Sequence, residues 1–224
     1  MAFKKNRRSP LAAIIVMAAG LALTGGGYAA ATAAVDAVKP VSAVATAEQV
    51  TEGKKLFLAN CASCHGKNAE GSVNAPSLIG VGAASVAFQV ETGRMPGQAS
   101  GPQLMVKPVQ FTQEQSDAMA AYVASLAPGP EVQTAAQIAA NGDSERGGEL
   151  FRINCAMCHN AVGAGGALTQ GKYAPNLMKV KAEHIYEAML TGPQNMPVFN
   201  DANLTPTDKK DIITYLTYVQ TNPS

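Results

Sequence analysis

The chain has 224 residues, of which 47% are apolar, 15% charged and only 5% aromatic, with four cysteines, three histidines and no tryptophan. That composition excludes broad disorder, and two domains of about 80 residues with so few large rings would have thin cores of their own. The net charge of +1 is a leader effect: residues 1–47 carry five basic side chains against Asp36, while residues 48–224 carry 12 basic against 15 acidic ones, so the globular part has no basic stripe for nucleic acid.

At the N-terminus, Lys4, Lys5, Arg7 and Arg8 precede an apolar run from Leu11 to Leu23, and no charge falls between Ser9 and Val35. A basic flank stays on the cytoplasmic side, so the chain that follows is expected to be exported. Residues 1–40 read either as a cleaved signal, with Ala31-Thr32-Ala33 as the small-residue site, or as a membrane anchor, because 27 uncharged residues are enough to span a bilayer.

Beyond the leader the sequence repeats itself. Residues 53–65 align with 147–159 at a constant offset of 94, and Gly, Leu, Phe, Asn, Cys, Ala, Cys and His recur in register. Ala75-Pro76-Ser77-Leu78 answers Ala174-Pro175-Asn176-Leu177, and Thr92-Gly93-Arg94-Met95-Pro96 answers Thr191-Gly192 followed by Met196-Pro197. Each copy reads as helix, loop, short helix, loop, helix. Thr46 with Gln49 and Thr112 with Gln115 have capping-box spacing. Thr205 is the expected N-cap of the last helix, with Pro206 at its first position and Ile212, Ile213, Leu216 and Val219 on one side. No strand pattern of useful length appears. The predicted fold is all-α, with two tandem domains at 46–128 and 143–222 joined by a linker at 129–142.

All four cysteines lie in two Cys-x-x-Cys-His units, Cys61, Cys64, His65 and Cys155, Cys158, His159. That pattern predicts two covalently bound haem c groups, the thiols adding to the two vinyl groups and the histidine ligating the iron. Redox dithiols need no histidine after both copies, and zinc-binding pairs sit about 15–20 residues apart. Gly80-Val81-Gly82 and Gly163-Ala164-Gly165-Gly166 lack the strand of a phosphate loop and read as turns.

A six-coordinate haem needs a ligand on its other face. His184 is the one histidine outside the motifs, so it cannot serve both irons; it is expected to be a surface or helix-packing residue. Of nine methionines, Met95 and Met196 each follow a Thr-Gly turn, precede proline and occupy matching places in the repeat. They are the expected second ligands, with Met105 the rival in copy one; Met119, Met178 and Met189 are assigned to helices. Thioether ligation raises the haem potential and closes the iron to substrate. The haem would also fill the thin cores, packing against Leu56, Phe57, Leu150 and Phe151.

With these residues in place, each half resembles a class I cytochrome c. The whole chain resembles the dihaem cytochrome c subunits of actinobacterial cytochrome bc complexes, respiratory complex III. The resemblance rests on Asn60-Cys61-Ala62-Ser63-Cys64-His65-Gly66, Asn154-Cys155-Ala156-Met157-Cys158-His159-Asn160, residues 171–177 and Asn195-Met196-Pro197-Val198-Phe199. It implies a place beside a cytochrome b subunit and a Rieske iron–sulfur subunit that together oxidise menaquinol. The chain would relay electrons from the Rieske centre to a terminal cytochrome oxidase, as the electron-transfer subunit of a quinol:cytochrome c reductase making no bonds itself. The haem domains would face the extracytoplasmic side of the cell membrane. The resemblance also implies that the Pro76 and Pro175 carbonyls orient the two histidines. It further implies a hydrophobic anchor after the second domain; here attachment is expected through the N-terminal segment alone, or through an anchor lost by truncation. The alternatives are an anchored or free dihaem cytochrome serving another dehydrogenase or oxidase, and a dihaem peroxidase, which would need an open iron.

Overall fold

The computed structural model describes residues 14–22, 24, 45–99 and 101–222. In the N-terminal segment residues 14–22 and 24 are helical. Among the described residues no helix is long and apolar enough to cross a membrane, and the rest of the expected anchor or signal lies outside the described residues.

In the first half of the remaining chain, α1 (Ala47–Asn60), α2 (Ala62–His65), α3 (Gly82–Glu91) and α4 (Gln113–Leu126) follow in order. The second half opens with α5 (Ala135–Ile138), α6 (Ser144–Asn154) and α7 (Ala156–His159), and closes with α8 (Ala182–Thr191) and α9 (Pro206–Thr221). Three departures from expectation fall in this half. The linker carries the short α5, started by Thr134 and Gln137 in a capping box. A two-residue antiparallel hairpin, β1 (Gly166–Ala167) with β2 (Tyr173–Ala174), pairs Gly166 with Ala174 and Ala167 with Tyr173. Strands this short have no alternation to display in the sequence. Met178 lies in a turn and not in a helix.

Local chemistry starts the helices where the sequence places them. The Gln49 amide N–H donates to the Thr46 hydroxyl at 3.2 Å while the Thr46 N–H donates to Gln49 Oε1 at 2.9 Å. Thr112 with Gln115 and Thr205 with Asp208 make the same reciprocal pairs. Asp143 caps α6, accepting from the Glu145 and Arg146 amides. At the other ends of α1 and α6, the Asn60 and Asn154 amides donate to the Leu56 and Leu150 carbonyls, each at 2.8 Å. That satisfies a carbonyl near the helix end and explains why asparagine recurs before both first cysteines.

In each half the helix before the Cys-x-x-Cys-His turn, α1 or α6, crosses the last helix, α4 or α9, at a repeated glycine. A Cβ on Gly53 would overlap the Ala118 carbonyl, and one on Gly147 the Asp211 carbonyl. Contact at that crossing brings Phe57 against Tyr122, with ring centroids 5.3 Å apart, and Phe151 against Tyr215 at 5.6 Å. Both phenylalanines are already 99% covered by polypeptide. Each half has its own apolar cluster. Met119, Tyr122 and Val123 join Phe57 in the first; Tyr186, Met189, Ile212, Ile213 and Leu216 join Phe151 in the second.

The halves also meet each other, as α3 packs on α8. His184 lies in that contact, its ring 6.5 Å from Phe88 and nearly perpendicular to it. It is buried, which rules out the surface alternative and leaves helix packing. Its Nδ1 is 2.9 Å from Glu187 Oε2, and Glu187 Oε1 accepts from Gln133 of the linker at 3.3 Å.

Burial pushes the Glu187 carboxyl above the ordinary carboxylate range; the His184 hydrogen bond opposes the rise and Glu91 adds to it. The folded chain therefore holds this proton more tightly than the unfolded chain. The stability it contributes is complete below the unfolded value of about 4.3 and is lost as pH rises through the raised folded value. Thermal melts across that window are expected to show the decline, and Glu187→Gln to flatten it.

Candidate haem-binding sites

Both Cys-x-x-Cys-His units fold alike. The first cysteine ends the preceding helix, with its N–H bonded to the Phe57 or Phe151 carbonyl at 2.8 Å, and the histidine N–H returns to that cysteine's carbonyl at 2.9 Å. One tight turn thus presents two thiols and an imidazole together. Gly66 and Asn160 leave the turn with φ of 81° and 67°, a positive-φ conformation that glycine enters freely.

The histidines are buried, and each is held at Nδ1 by a proline carbonyl: His65 by Pro76 at 2.8 Å and His159 by Pro175 at 3.0 Å. A carbonyl can only accept, so Nδ1 carries the hydrogen and Nε2 keeps its lone pair for a metal. Burial holds the His159 imidazole below its usual range, against the opposing pull of the Pro175 carbonyl, so the ring is kept in the neutral, ligating form.

No disulfide joins the four cysteines. Cys64 and Cys158 are exposed, while Cys61 is half-buried and Cys155 buried. Burial, helped by the neighbouring thiol, pushes Cys61 up to about 11 and Cys155 up to about 12. A redox dithiol requires the opposite shift, toward a reactive thiolate. Nor do three or more His, Cys, Asp or Glu side chains gather around one point among the described residues, as a structural zinc site would need.

The expected methionines sit on the same apolar clusters as the cysteines. Met95 packs on the first cluster with Cys61 and Leu78, and Met196 on the second with Leu177 and Phe199, where Cys155 is a buried member. Met105 is 64% exposed and belongs to neither cluster; Met119 and Met189 are spent inside the cores.

Arg94, directly before Met95, was not singled out from sequence. It is 91% buried, its guanidinium 4.8 Å from the centre of the Phe88 ring, and it makes no ion pair among the described residues. Haem brings two carboxylates, and a buried guanidinium without an acid is suited to one of them. Thiols in pairs, an imidazole with a free Nε2 and an apolar surface bearing a thioether all fit the group that the motifs imply.

Two helical domains built this way define a dihaem c-type cytochrome. Residues 50–127 match the cytochrome c family, and residues 142–216 match the family described as cytochrome c oxidase, cbb3-type, subunit III. The cytochrome bc1 complex cytochrome c subunit of Corynebacterium efficiens is 43% identical over 98% of this chain and 80% of its own length. The protein of that description from Mycobacterium tuberculosis is also 43% identical, over 95% of this chain and 78% of its own. A chain of the Kuenenia stuttgartiensis reducing HAO-like protein complex is 16% identical over 75% of this chain and 95% of that one, with a TM-score of 0.39, too low to carry an argument. The chain belongs to the family of cytochrome bc1 complex cytochrome c subunits, and its cofactors are two covalently bound haem c groups.

Proposed function

We propose that this chain relays single electrons within a quinol-oxidising bc complex, accepting them from a Rieske iron–sulfur centre and passing them to a terminal cytochrome oxidase. In this reading it sits beside a cytochrome b subunit at the cell membrane, with both haem domains on the extracytoplasmic side. The observation that carries it is the duplicated site, in which a Cys-x-x-Cys-His turn locked by a proline carbonyl is followed by Met-Pro on the same apolar cluster. Membership of the bc1 family supports the assignment to such a complex.

Bound haem supplies a one-electron Fe(III)/Fe(II) couple. The polypeptide supplies everything that tunes it. Cys61, Cys64, Cys155 and Cys158 anchor the macrocycles. His65 and His159 offer Nε2, with ring direction and basicity set by the bonds to Pro76 and Pro175. Met95 and Met196 offer thioether sulfur, which favours the reduced state. The apolar clusters keep water away, so little solvent has to reorganise when charge changes. With both axial positions taken in this way, each site would suit electron transfer and disfavour peroxidase chemistry.

Isolation of the complex in mild detergent tests the reading. Intact mass and a pyridine haemochrome spectrum are expected to give two haems per chain, with cytochrome b and Rieske subunits co-purifying. Recovery only with an unrelated dehydrogenase or oxidase overturns the partner assignment. Carbon monoxide binding readily to one reduced haem overturns closed ligation.

A further inference from the structure

Two of the places where the halves depart from each other meet. From the histidine to the proline that holds it is 11 positions in the first half and 16 in the second; the longer stretch contains the β1–β2 hairpin. From Met95 to the capping Thr112 is 17 positions, against 9 from Met196 to Thr205; the longer loop carries Gln103.

That loop is closed at its base and docked at its tip. The Lys107 N–H donates to the Gly93 carbonyl at 3.1 Å, and Lys107 Nζ donates to the Pro96 carbonyl. Gly93 has φ of 71° and no room for a Cβ against Lys107, so only glycine fits that base. Near the tip, the Gln103 side-chain amide takes both backbone groups of one residue in the other half. Its Nε2 donates to the Tyr173 carbonyl at 3.0 Å, and its Oε1 accepts from the Tyr173 N–H at 2.8 Å. The next residue, Leu104, donates its N–H to Gln194 Oε1 at 3.4 Å.

The partners are placed tellingly. Tyr173 lies two residues before Pro175, whose carbonyl holds His159, and Gln194 lies two residues before Met196. A loop that begins at one site's methionine therefore grips the segments leading to both expected ligands of the other. A side chain that satisfies an N–H and a C=O of the same residue stands in for a strand partner and fixes that backbone in both position and twist.

We propose that Gln103 is a positioning residue for electron passage between the two haem sites, holding the second site's ligand segments in register with the first. The inference rests on the reading of His65 with Met95 and His159 with Met196 as the two iron ligand pairs. In the step it serves, one electron leaves the first iron, which is oxidised, and arrives at the second, which is reduced; no bond forms or breaks.

The test uses the haem-loaded, full-length chain and its Gln103→Ala and Gln103→Glu variants. Three quantities are read: hydrogen–deuterium exchange at the Tyr173 amide, the rate of electron equilibration between the haems after photoreduction, and both midpoint potentials. Loss of two hydrogen bonds in Gln103→Ala is expected to raise Tyr173 exchange roughly tenfold to a hundredfold. Inter-haem equilibration slows several-fold, and haem content stays at two. Gln103→Glu keeps the acceptor for the Tyr173 N–H but loses the donor, and falls between the wild type and Gln103→Ala in both readouts. Faster Tyr173 exchange with unchanged equilibration and potentials would reduce the contact to packing and overturn the proposal, as would unchanged exchange. If Gln103→Ala does not load haem, the Gln103→Glu result decides by the same criteria. Wild-type protein carrying fewer than two haems overturns the ligand reading itself and this inference with it, an outcome that the haem count separates from the others.

Discussion

Met196→His is expected to lower the midpoint potential of the second haem by on the order of a few hundred millivolts, because axial-ligand identity tunes haem over about 0.8 V. As the proposed ligand, the Met196 thioether would favour ferrous iron, whereas a second imidazole would donate more strongly and favour ferric. Met196 is half-buried on the cluster that contains Cys155, so a histidine there would offer an imidazole nitrogen from the position proposed for the thioether sulfur. Met95→His is expected to do the same at the first haem. Met105→Leu is the control: that side chain is 64% exposed, and both potentials should stay where they are. Spectroelectrochemical titration reads all three variants. A Met196→His protein with two wild-type potentials would remove Met196 from the coordination sphere.

The second large effect is on folding. In an exposed helix interior, Gly→Ala gains about 1 kcal/mol of propensity, yet Gly147→Ala is expected to cost roughly 3 kcal/mol. The added Cβ would come within 1.9 Å of the Asp211 carbonyl oxygen. Backbone cannot rotate away as a side chain can, so α6 and α9 must separate and loosen the Phe151–Tyr215 contact. Gly53→Ala meets the Ala118 carbonyl in the same way. For domains of this size each change lowers the melting temperature by more than about 10 °C. Gly101→Ala, whose nearest new neighbour is 3.9 Å away, should shift it little. A stabilised Gly147→Ala protein would show that α6 and α9 do not cross this closely.

Both expectations trace to residues that recur in the two halves, Gly53 and Gly147 at an offset of 94 and Met95 and Met196 at an offset of 101, and the repeat was the most informative feature of the chain. Its glycines, asparagines and Cys-x-x-Cys-His units recur because each does a local or near-local task that the fold needs twice. The capping boxes at Thr46 and Thr112 were legible for the same reason: three-residue spacing is enough to define the hydrogen bonds. Haem attachment was legible because two thiols and an imidazole within five residues are close in any compact turn.

Other features could not be read along the chain. Lys209 lies in the polar first part of α9, yet it is fully buried, donating to Asp201 and to the Leu204 carbonyl at 2.6 and 2.7 Å. Nothing adjacent to Arg94 in the chain marks it out; its guanidinium lies over Phe88, six residues earlier on α3. His184 offered either exposure or packing, and the choice was made by α3 of the other half.

By itself the sequence determined the cofactor chemistry, the duplication and the capped starts of α1, α4 and α9, since each depends on groups a few residues apart whose geometry the backbone dictates. Only the tertiary structure decided how one half addresses the other: Gln103 meets Tyr173 across 70 residues, Leu104 meets Gln194 across 90, and Gln133 meets Glu187 across 54. Those pairings leave no periodicity, because contacts between distant segments are chosen by shape and by the need to satisfy buried polar groups once the helices have packed.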